Sequence, residues 1–567
     1  MTKITPEETQ KYLSIFKSLE SEFEKRVDRF KDIRDLIAVG TGAFKEEEDS
    51  DKDEDIDYGK LLDGEHLEYF ETLTSGLYGG LVNPSGEWFD VVPSNAYLFD
   101  DVDAMDYCYG VKRAFQLLFH ATDFYKEFRM TCNEYPEYGF APLMIEEDDK
   151  RVVKFTHFTC GEAYLGCDFD GNYNQLAREI RLTPDQLVTS FGYDNCTLAI
   201  QQAFDKRRFD TKFTVYHLIC PNYTRNSKSR LNTNMPFVDL YWSCDNDNPT
   251  NTFHLFRKSG YRENPLAVFF WLKKNKKQVY PLGIGGKCLG DVRELQSTSY
   301  NGSVNEAFLM NPALALHTSL QRKPILPGST FYTEQDPTKV AAEIRRVDSH
   351  IEEIENKKKL IKDRIRKITM ADIMMLFATK DKDRMTAREV IAIINEQAAL
   401  LGGIYLNAKD SLTQVFKRCF AIGLRKGYFP QPPDSLATGG INVEFTSNIA
   451  KVQRMTELQG ISDLALYVGQ YAQMKPEILD NMDEDKVFTE LVNKLSINTQ
   501  VRKHPRVVQQ IREQRAQAQA AQAQAEQAET MAKAAKQASG ATLSEDNLLG
   551  AMAKQQGITV PPQGSNV

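Results

Sequence analysis

The sequence predicts an α+β protein organised around a long helical rod, and three stretches carry the prediction. The first is an apolar stripe at Val340, Ile344, Val347, Ile351, Ile354, Ile361, Ile365 and Ile368, spaced alternately by four and three and interrupted only by Lys358. Such a stripe specifies a helix with one narrow apolar face. Its other positions are almost all charged, from Arg345 and Arg346 to Arg366 and Lys367. The second stretch, residues 150–280, carries short β-branched and aromatic runs separated by turn residues, the pattern of strands. The third, 505–540, is dominated by Ala, Gln, Glu and Arg, which favour helix. At 567 residues the chain is long enough for more than one substructure.

Taken in order, Thr5-Pro6-Glu7-Glu8 opens a helix with a capping box and proline at its first position. Tyr12, Phe16, Leu19, Phe23, Val27, Phe30 and Ile37 continue it as one amphipathic stretch to residue 38. Residues 45–57 form an acidic run, read as a solvated loop. It is no EF-hand, because Ile56 and Leu62 stand where glycine and glutamate are required. A helix through Leu67, Phe70, Leu73 and Leu77 ends in small residues and the turn Asn83-Pro84-Ser85-Gly86, and Trp88-Phe89 leads into a strand.

Residues 103–140 read as helix. Strands follow at Arg151–Phe158, on either side of an Asp170-Gly171 turn, at Phe213–Ile219, Val238–Trp242 and Phe253–Phe256, and in the buried run Leu266–Leu272. A short helix starts at Thr183-Pro184. Helix returns at 289–310, and a proline-punctuated segment, 311–337, separates it from the rod. A capping box at Thr386 and Glu389 starts a second long helix, with Gly402-Gly403 as a kink and prolines from Pro430 as its stop. Residues 441–500 read as a helical group. The tail beyond Ser539 reads as mostly disordered.

Chemistry is weakly signalled. The net charge of −9 gives no bulk attraction to nucleic acid. The nine cysteines are scattered without a Cys-x-x-Cys, so neither a zinc site nor a disulfide framework is indicated. Pro281-Leu282-Gly283-Ile284-Gly285-Gly286-Lys287-Cys288 fails as a phosphate loop, for Pro281 replaces its first glycine and Cys288 its Ser/Thr. The eight histidines are isolated. The expectation is no enzyme, no metal and no cofactor. No apolar run approaches the roughly 20 residues of a membrane span, and no signal peptide opens the chain.

Three motifs in order carry a resemblance over residues 10–470. They are Leu73-Thr-Ser-Gly-Leu-Tyr-Gly-Gly-Leu-Val-Asn-Pro-Ser-Gly-Glu-Trp-Phe89, Glu263-Asn264-Pro265 to Trp271 with Tyr280 and the Gly-rich turn, and Met385-Thr386-Ala387-Arg388-Glu389-Val390 running on to Arg425-Lys426-Gly427-Tyr428-Phe429-Pro430. The chain resembles the portal (head-to-tail connector) proteins of short-tailed, podovirus-like double-stranded DNA bacteriophages. It departs from them at Gly283–Gly286, where the family usually has Tyr-Gly-Arg-Gly-Pro.

The resemblance implies a wing at 1–285 with helical and β parts and a first stem helix at 286–310. A clip at 311–337 and a second stem helix at 338–376 follow. It further implies a tunnel loop at 377–385, a long wing helix at 386–429, a crown at 430–504, a C-terminal helix or barrel at 505–540, and a tail at 541–567. On this resemblance the subunits form a ring of about twelve at one capsid vertex, closed by a head-to-tail interface. Double-stranded DNA crosses the ring in packaging and ejection. Lys380, Lys382 and Arg384 would face it. Lys323, Pro324, Ile325, Leu326 and Pro327 would dock terminase and then tail adaptor or nozzle proteins. Major capsid, scaffolding and internal core proteins are the other implied partners, with assembly in the host cytoplasm and residence in the virion. The stripe alone equally fits a coiled-coil scaffold or adaptor without a DNA channel.

Overall fold

The computed structural model describes residues 5–44, 61–84, 86–99, 101–225, 231, 234–244, 253–310, 314–316, 341–343, 351–372, 374, 387–436, 440–445, 464, 466–470, 487 and 505–539. The chain divides into two compact units, Met1–Asn481 and Met482–Val567.

The first unit opens with α1 (Pro6–Glu24) and α2 (Val27–Leu36). The expected capping box is present: Thr5 Oγ1 accepts from Glu8 N at 3.3 Å, and Glu8 Oε2 accepts from Thr5 N at 3.4 Å. The single helix read from the sequence is broken at Lys25-Arg26, and aromatic packing explains why. Phe23 and Phe30 stack with centroids 5.3 Å apart. In one continuous helix, residues seven apart are displaced by about 10 Å along the axis. The break lets both rings reach Tyr280, at 5.5 and 6.1 Å.

Next come α3 (Glu65–Leu81), β1 (Phe89–Pro93), α4 (Val102–Ala121) and α5 (Phe124–Tyr138). Gly139 ends α5 in the left-handed conformation (φ 101°), its N–H donating to the Tyr135 carbonyl. β2 (Phe140–Asp148) and β3 (Val152–His157) form an antiparallel pair. β4 (Tyr164–Cys167) and β5 (Tyr173–Leu182) flank the expected turn, with Gly171 at φ 89°. Two short helices, α6 (Pro184–Phe191) and α7 (Leu198–Asp205), precede β6 (Phe213–Pro221), β7 (Phe237–Cys244) and β8 (Phe253–Tyr261). β4 to β8 make a five-stranded antiparallel meander. β9 (Leu266–Phe270) joins the far side of β2, giving a three-stranded sheet ordered β3-β2-β9. Its leading residues are fully buried, as its unbroken apolar run requires.

α8 (Ile284–Met310) follows. Within the segment read as clip and start of the second stem helix, β10 (Leu314–Leu316) pairs antiparallel with β11 (Ala341–Glu343). Helix therefore does not run from 338: α9 spans Ile351–Ile368. Pairing with a strand overrides the helix preference of Ala341-Ala342-Glu343. α10 (Ala387–Arg425) is continuous over 39 residues, Gly402-Gly403 included.

A second correction concerns residues 441–500. β12 (Ile441–Phe445) is a strand paired antiparallel with β1, Phe89 opposite Phe445 and Val91 opposite Val443. Ile441, Val443 and Phe445 alternate with Asn442 and Glu444, a period of two that specifies a strand within a segment read as helical. In the second unit, α11 (Pro505–Ser539) is helical as its composition predicts, and its described side chains are mostly exposed. The acidic run and the C-terminal tail lie outside the described residues.

The core is aromatic. Phe89, Phe115, Phe119, Phe416 and Trp88 interlock, with Phe89 and Phe416 centroids 4.8 Å apart and Phe115 and Phe416 4.9 Å apart. This cluster joins β1, α4 and α10.

Candidate functional site

The glycine-rich segment before α8 is explained by backbone contact. A Cβ on Gly283 would lie 2.4 Å from the Pro136 carbonyl oxygen, and one on Gly285 2.4 Å from that of Glu137. The C-terminal end of α5 thus abuts the start of α8, and carbonyl oxygens fill the space a phosphate would need. Gly285 and Gly286 belong to the first turn of the helix rather than to a preceding turn.

α8 and α9 run antiparallel. Gly302 lies opposite Ile354, where a Cβ would meet Cγ2 at 3.4 Å, while Arg364 Nη2 bonds Glu294 Oε2 at 2.8 Å and approaches Asp291 at 3.4 Å. Of the predicted stripe, Ile361 and Ile365 are fully buried and Ile354 and Ile368 half-buried. Ile351 begins the helix. Val340, Ile344 and Val347 lie outside the described residues, as do Lys323–Pro327 and Lys380, Lys382 and Arg384.

One stripe on α8, Cys288, Val292, Leu295, Ser299 and Gly302, is buried and spaced four, three, four, three, and its Gly302 faces Ile354 of α9. Sequence reading missed it because two members are small and not apolar. Small residues there permit close approach of the neighbouring backbone.

Some of the charges on α9 are committed to partners. Lys357 Nζ pairs with Glu294 at 3.1 Å, and Lys362 Nζ with Asp63 at 2.9 Å and Glu65 at 2.6 Å. Burial alone would lower the Lys362 pKa, but bonds to these two carboxylates outweigh it and raise it. Hydrogen bonds from Lys362 and Tyr69 hold Glu65 below the usual carboxylate range. Glu65 also sits in the first turn of α3, where the helix dipole favours a negative charge. Gln296 of α8 accepts from Leu62 N and Asp63 N at 2.9 and 3.2 Å and donates to the Asp63 carbonyl at 2.7 Å. The chain emerging from the acidic run is thereby fastened to both α8 and α9.

The C-terminal half of α10 is fastened to the sheets. Asn407 Nδ2 donates to the Trp271 carbonyl and Ser411 Oγ to that of Val268, each at 2.8 Å. These contacts cover the outer edge of β9, whose free backbone groups would otherwise be a pairing liability. Buried Arg418 pairs with Glu263; Arg425 bonds Glu263 at 2.6 Å and also pairs with Glu147. Lys426 Nζ reaches the Asp148 carbonyl at 2.6 Å.

One buried polar chain crosses four strands of the meander. Arg178 Nε donates to His217 Nδ1 at 2.9 Å, and His217 Nε2 lies 2.8 Å from Asp239 Oδ1. Ser259 Oγ and Arg257 Nη2 donate to Asp239 Oδ2 at 2.6 and 3.1 Å. Burial pushes His217 down to about 4, so it is neutral at pH 7 and donates through Nε2. Burial would raise Asp239, but bonds from His217, Arg257 and Ser259 hold it below its ordinary value. The trio is not a nucleophile–base pair, since Ser259 bonds the carboxylate and not the imidazole. It fixes strand register. Among the described residues no three His, Cys, Asp or Glu side chains converge to hold a metal ion. No described helix is long and apolar enough to cross a membrane.

The chain is thus an α+β protein whose polar side chains hold two antiparallel helices and one long helix in place. Sequence comparison places it in a family. The chain belongs to the bacteriophage head to tail connecting protein family, whose profile matches residues 9–502. It is 27% identical over 494 residues to the portal protein of Salmonella phage epsilon15, covering 86% of this chain and 87% of that one. It is 26% identical over 512 residues to the probable portal protein of Bordetella phage BPP-1, covering 89% and 90%.

Proposed function

We propose that this chain is a portal subunit: a ring of about twelve copies, closed by a head-to-tail interface, sits at one capsid vertex and passes double-stranded DNA during packaging and ejection. The observation that carries the reading is the family match across residues 9–502, within which α8 and α9 form an antiparallel pair flanking the 311–337 insert. On this reading α8 and α9 are the stem and 311–337 is the clip. Lys323–Pro327 within the clip meet the terminase, and later the tail adaptor. The β1–β12 pairing supports counting residues 441–445 with the wing and starting the crown beyond Phe445. α11 extends the crown as a helical barrel. Capsid, scaffolding and internal core proteins contact the outer surfaces, and assembly occurs in the host cytoplasm.

Each subunit adds a formal charge of −9. A predominantly negative channel repels phosphates, so DNA slides without being held; tight binding needs many cationic contacts. Lys380, Lys382 and Arg384 supply transient ones. Electron microscopy of the purified protein tests the assembly. Rings with an axial hole are expected, whereas small elongated particles at every salt concentration would replace the portal reading with a coiled-coil adaptor. Neutralising Lys380, Lys382 and Arg384 together is expected to change DNA packaging or retention while rings still form; unchanged packaging removes the tunnel-loop assignment.

A further inference from the structure

Between α3 and α5, closed at one end by residues 37–41, lies a cavity of about 320 Å³. One stripe of α5, Arg129, Asn133 and Glu137, lines one wall, and Glu71 and Thr74 of α3 line the other. Glu137 is 8% exposed, and among the described residues its Oε2 and Asn133 Oδ1 have no hydrogen-bond partner. Both orphans are acceptors. The cation on the same stripe does not serve them, because Arg129 Nη2 bonds Ser75 Oγ at 3.0 Å and its guanidinium lies 5.3 Å from the Tyr78 ring centre.

An ionised carboxylate left unpaired in so buried a place is strongly unfavourable, so burial drives Glu137 to hold its proton. Burial, with Glu134 nearby, does push the Glu137 pKa well above the usual carboxylate range. Glu71 at the mouth adds negative charge. Both orphan oxygens are shielded where they stand, but the terminal torsions of glutamate and asparagine are soft, so either can turn into the cavity. The volume exceeds what a few waters need, at roughly 30 Å³ each, and accommodates an alkylammonium or guanidinium group.

We propose that this cavity is a binding site for one ammonium or guanidinium group, received by the Glu137 carboxylate and the Asn133 amide oxygen in exchange for the Glu137 proton. The cation has two chemical sources: a free aliphatic polyamine, or a lysine or arginine side chain of a second copy of the chain.

Putrescine is the probe, with the full-length protein titrated by calorimetry in buffers of different ionisation enthalpy. For a free polyamine, saturable binding is expected, with a proton released near neutral pH, and Glu137→Gln or Asn133→Leu weakens it at least tenfold. For a second copy, putrescine gives nothing beyond sodium chloride at matched ionic strength, and either variant shifts self-association to at least tenfold higher concentration in sedimentation velocity. Both variants nearly preserve shape, and a cooperative melt like the parent's establishes that they fold. If putrescine behaves as sodium chloride and a folded variant self-associates as the parent does, the cavity merely holds water and the proposal is overturned.

Discussion

Gly285→Ala and Gly290→Ala are the same substitution in the same helix, and they are expected to act with opposite sign. In a helix interior, alanine is favoured over glycine by about 1 kcal/mol. At Gly290 a Cβ would meet nothing within 4 Å, so that gain should be realised. At Gly285 the new Cβ would lie 2.4 Å from the Glu137 carbonyl oxygen, about 1 Å closer than ordinary contact, and 3.1 Å from its carbonyl carbon. The obstacle is backbone at the C-terminal end of α5 and cannot rotate aside. Overpacking of this kind costs about 1–3 kcal/mol, more where a main chain must move. The net expectation is a loss of about 2 kcal/mol at 285 against a gain of up to about 1 kcal/mol at 290. For a body of this size each kcal/mol moves the melting midpoint by only about 1 °C. Differential scanning calorimetry in matched buffer, with urea midpoints as a second measure, resolves a difference of that size. If Gly285→Ala proves neutral or stabilising, α5 and α8 do not abut as described, and backbone proximity is not the reason for glycine there.

Four further outcomes follow from other contacts described above. Ile365→Ala removes a fully buried side chain and should cost about 2–5 kcal/mol, whereas Arg364→Met, whose parent side chain is 53% exposed, should cost about 1 kcal/mol or less; paired urea melts check the ratio. Acid should destabilise the meander. His217 binds a proton near pH 6.5 when unfolded but only near 4 when folded, so the unfolded state holds more protons in that window and stability falls as pH drops through it. Asp239, held below 3.8, extends the loss to lower pH, and His217→Asn should flatten the upper part of the profile in pH-dependent melts. Glu137 has the opposite sign: its contribution is full below about pH 4.5 and is lost as pH rises, so Glu137→Gln should gain on the parent as pH rises above that value. Ser411→Ala leaves the Val268 carbonyl without its 2.8 Å donor, and about 1 kcal/mol should be lost, with faster amide exchange along β9 by mass spectrometry.

Local signals were legible where one residue type enforces one geometry. The Thr5 capping box and the Asp170-Gly171 turn are where the sequence places them, and the run read as buried over Leu266–Leu272 is a strand over Leu266–Phe270, with Leu272 57% exposed. What escaped depended on residues far away. The break between α1 and α2 exists because Tyr280 gathers Phe23 and Phe30, and no helical periodicity contains that fact. β11 and β12 are strands through partners at 314–316 and 89–93, although Ala341-Ala342-Glu343 suits a helix. Ile441–Phe445 did alternate, and too wide a reading frame concealed it. The buried stripe was legible on α9 through its isoleucines and illegible on α8, where Ser299 and Gly302 take part by being small. Lys362 looked like one more solvent charge until Asp63 and Glu65 were brought against it.

The pairing of β1 with β12 has a consequence for how the chain is made. Roughly 350 residues separate the two strands, so on a ribosome adding about 5–20 residues per second β1 waits some 20–70 seconds for its partner. Throughout that interval a strand bearing Phe89 and Val91 has an open flank, the kind of surface that recruits strangers. The pairing of β1 with β12 thus waits on translation rather than on diffusion. A cell making many copies at once must keep nascent chains apart, or occupied by a chaperone, until residue 445 has emerged.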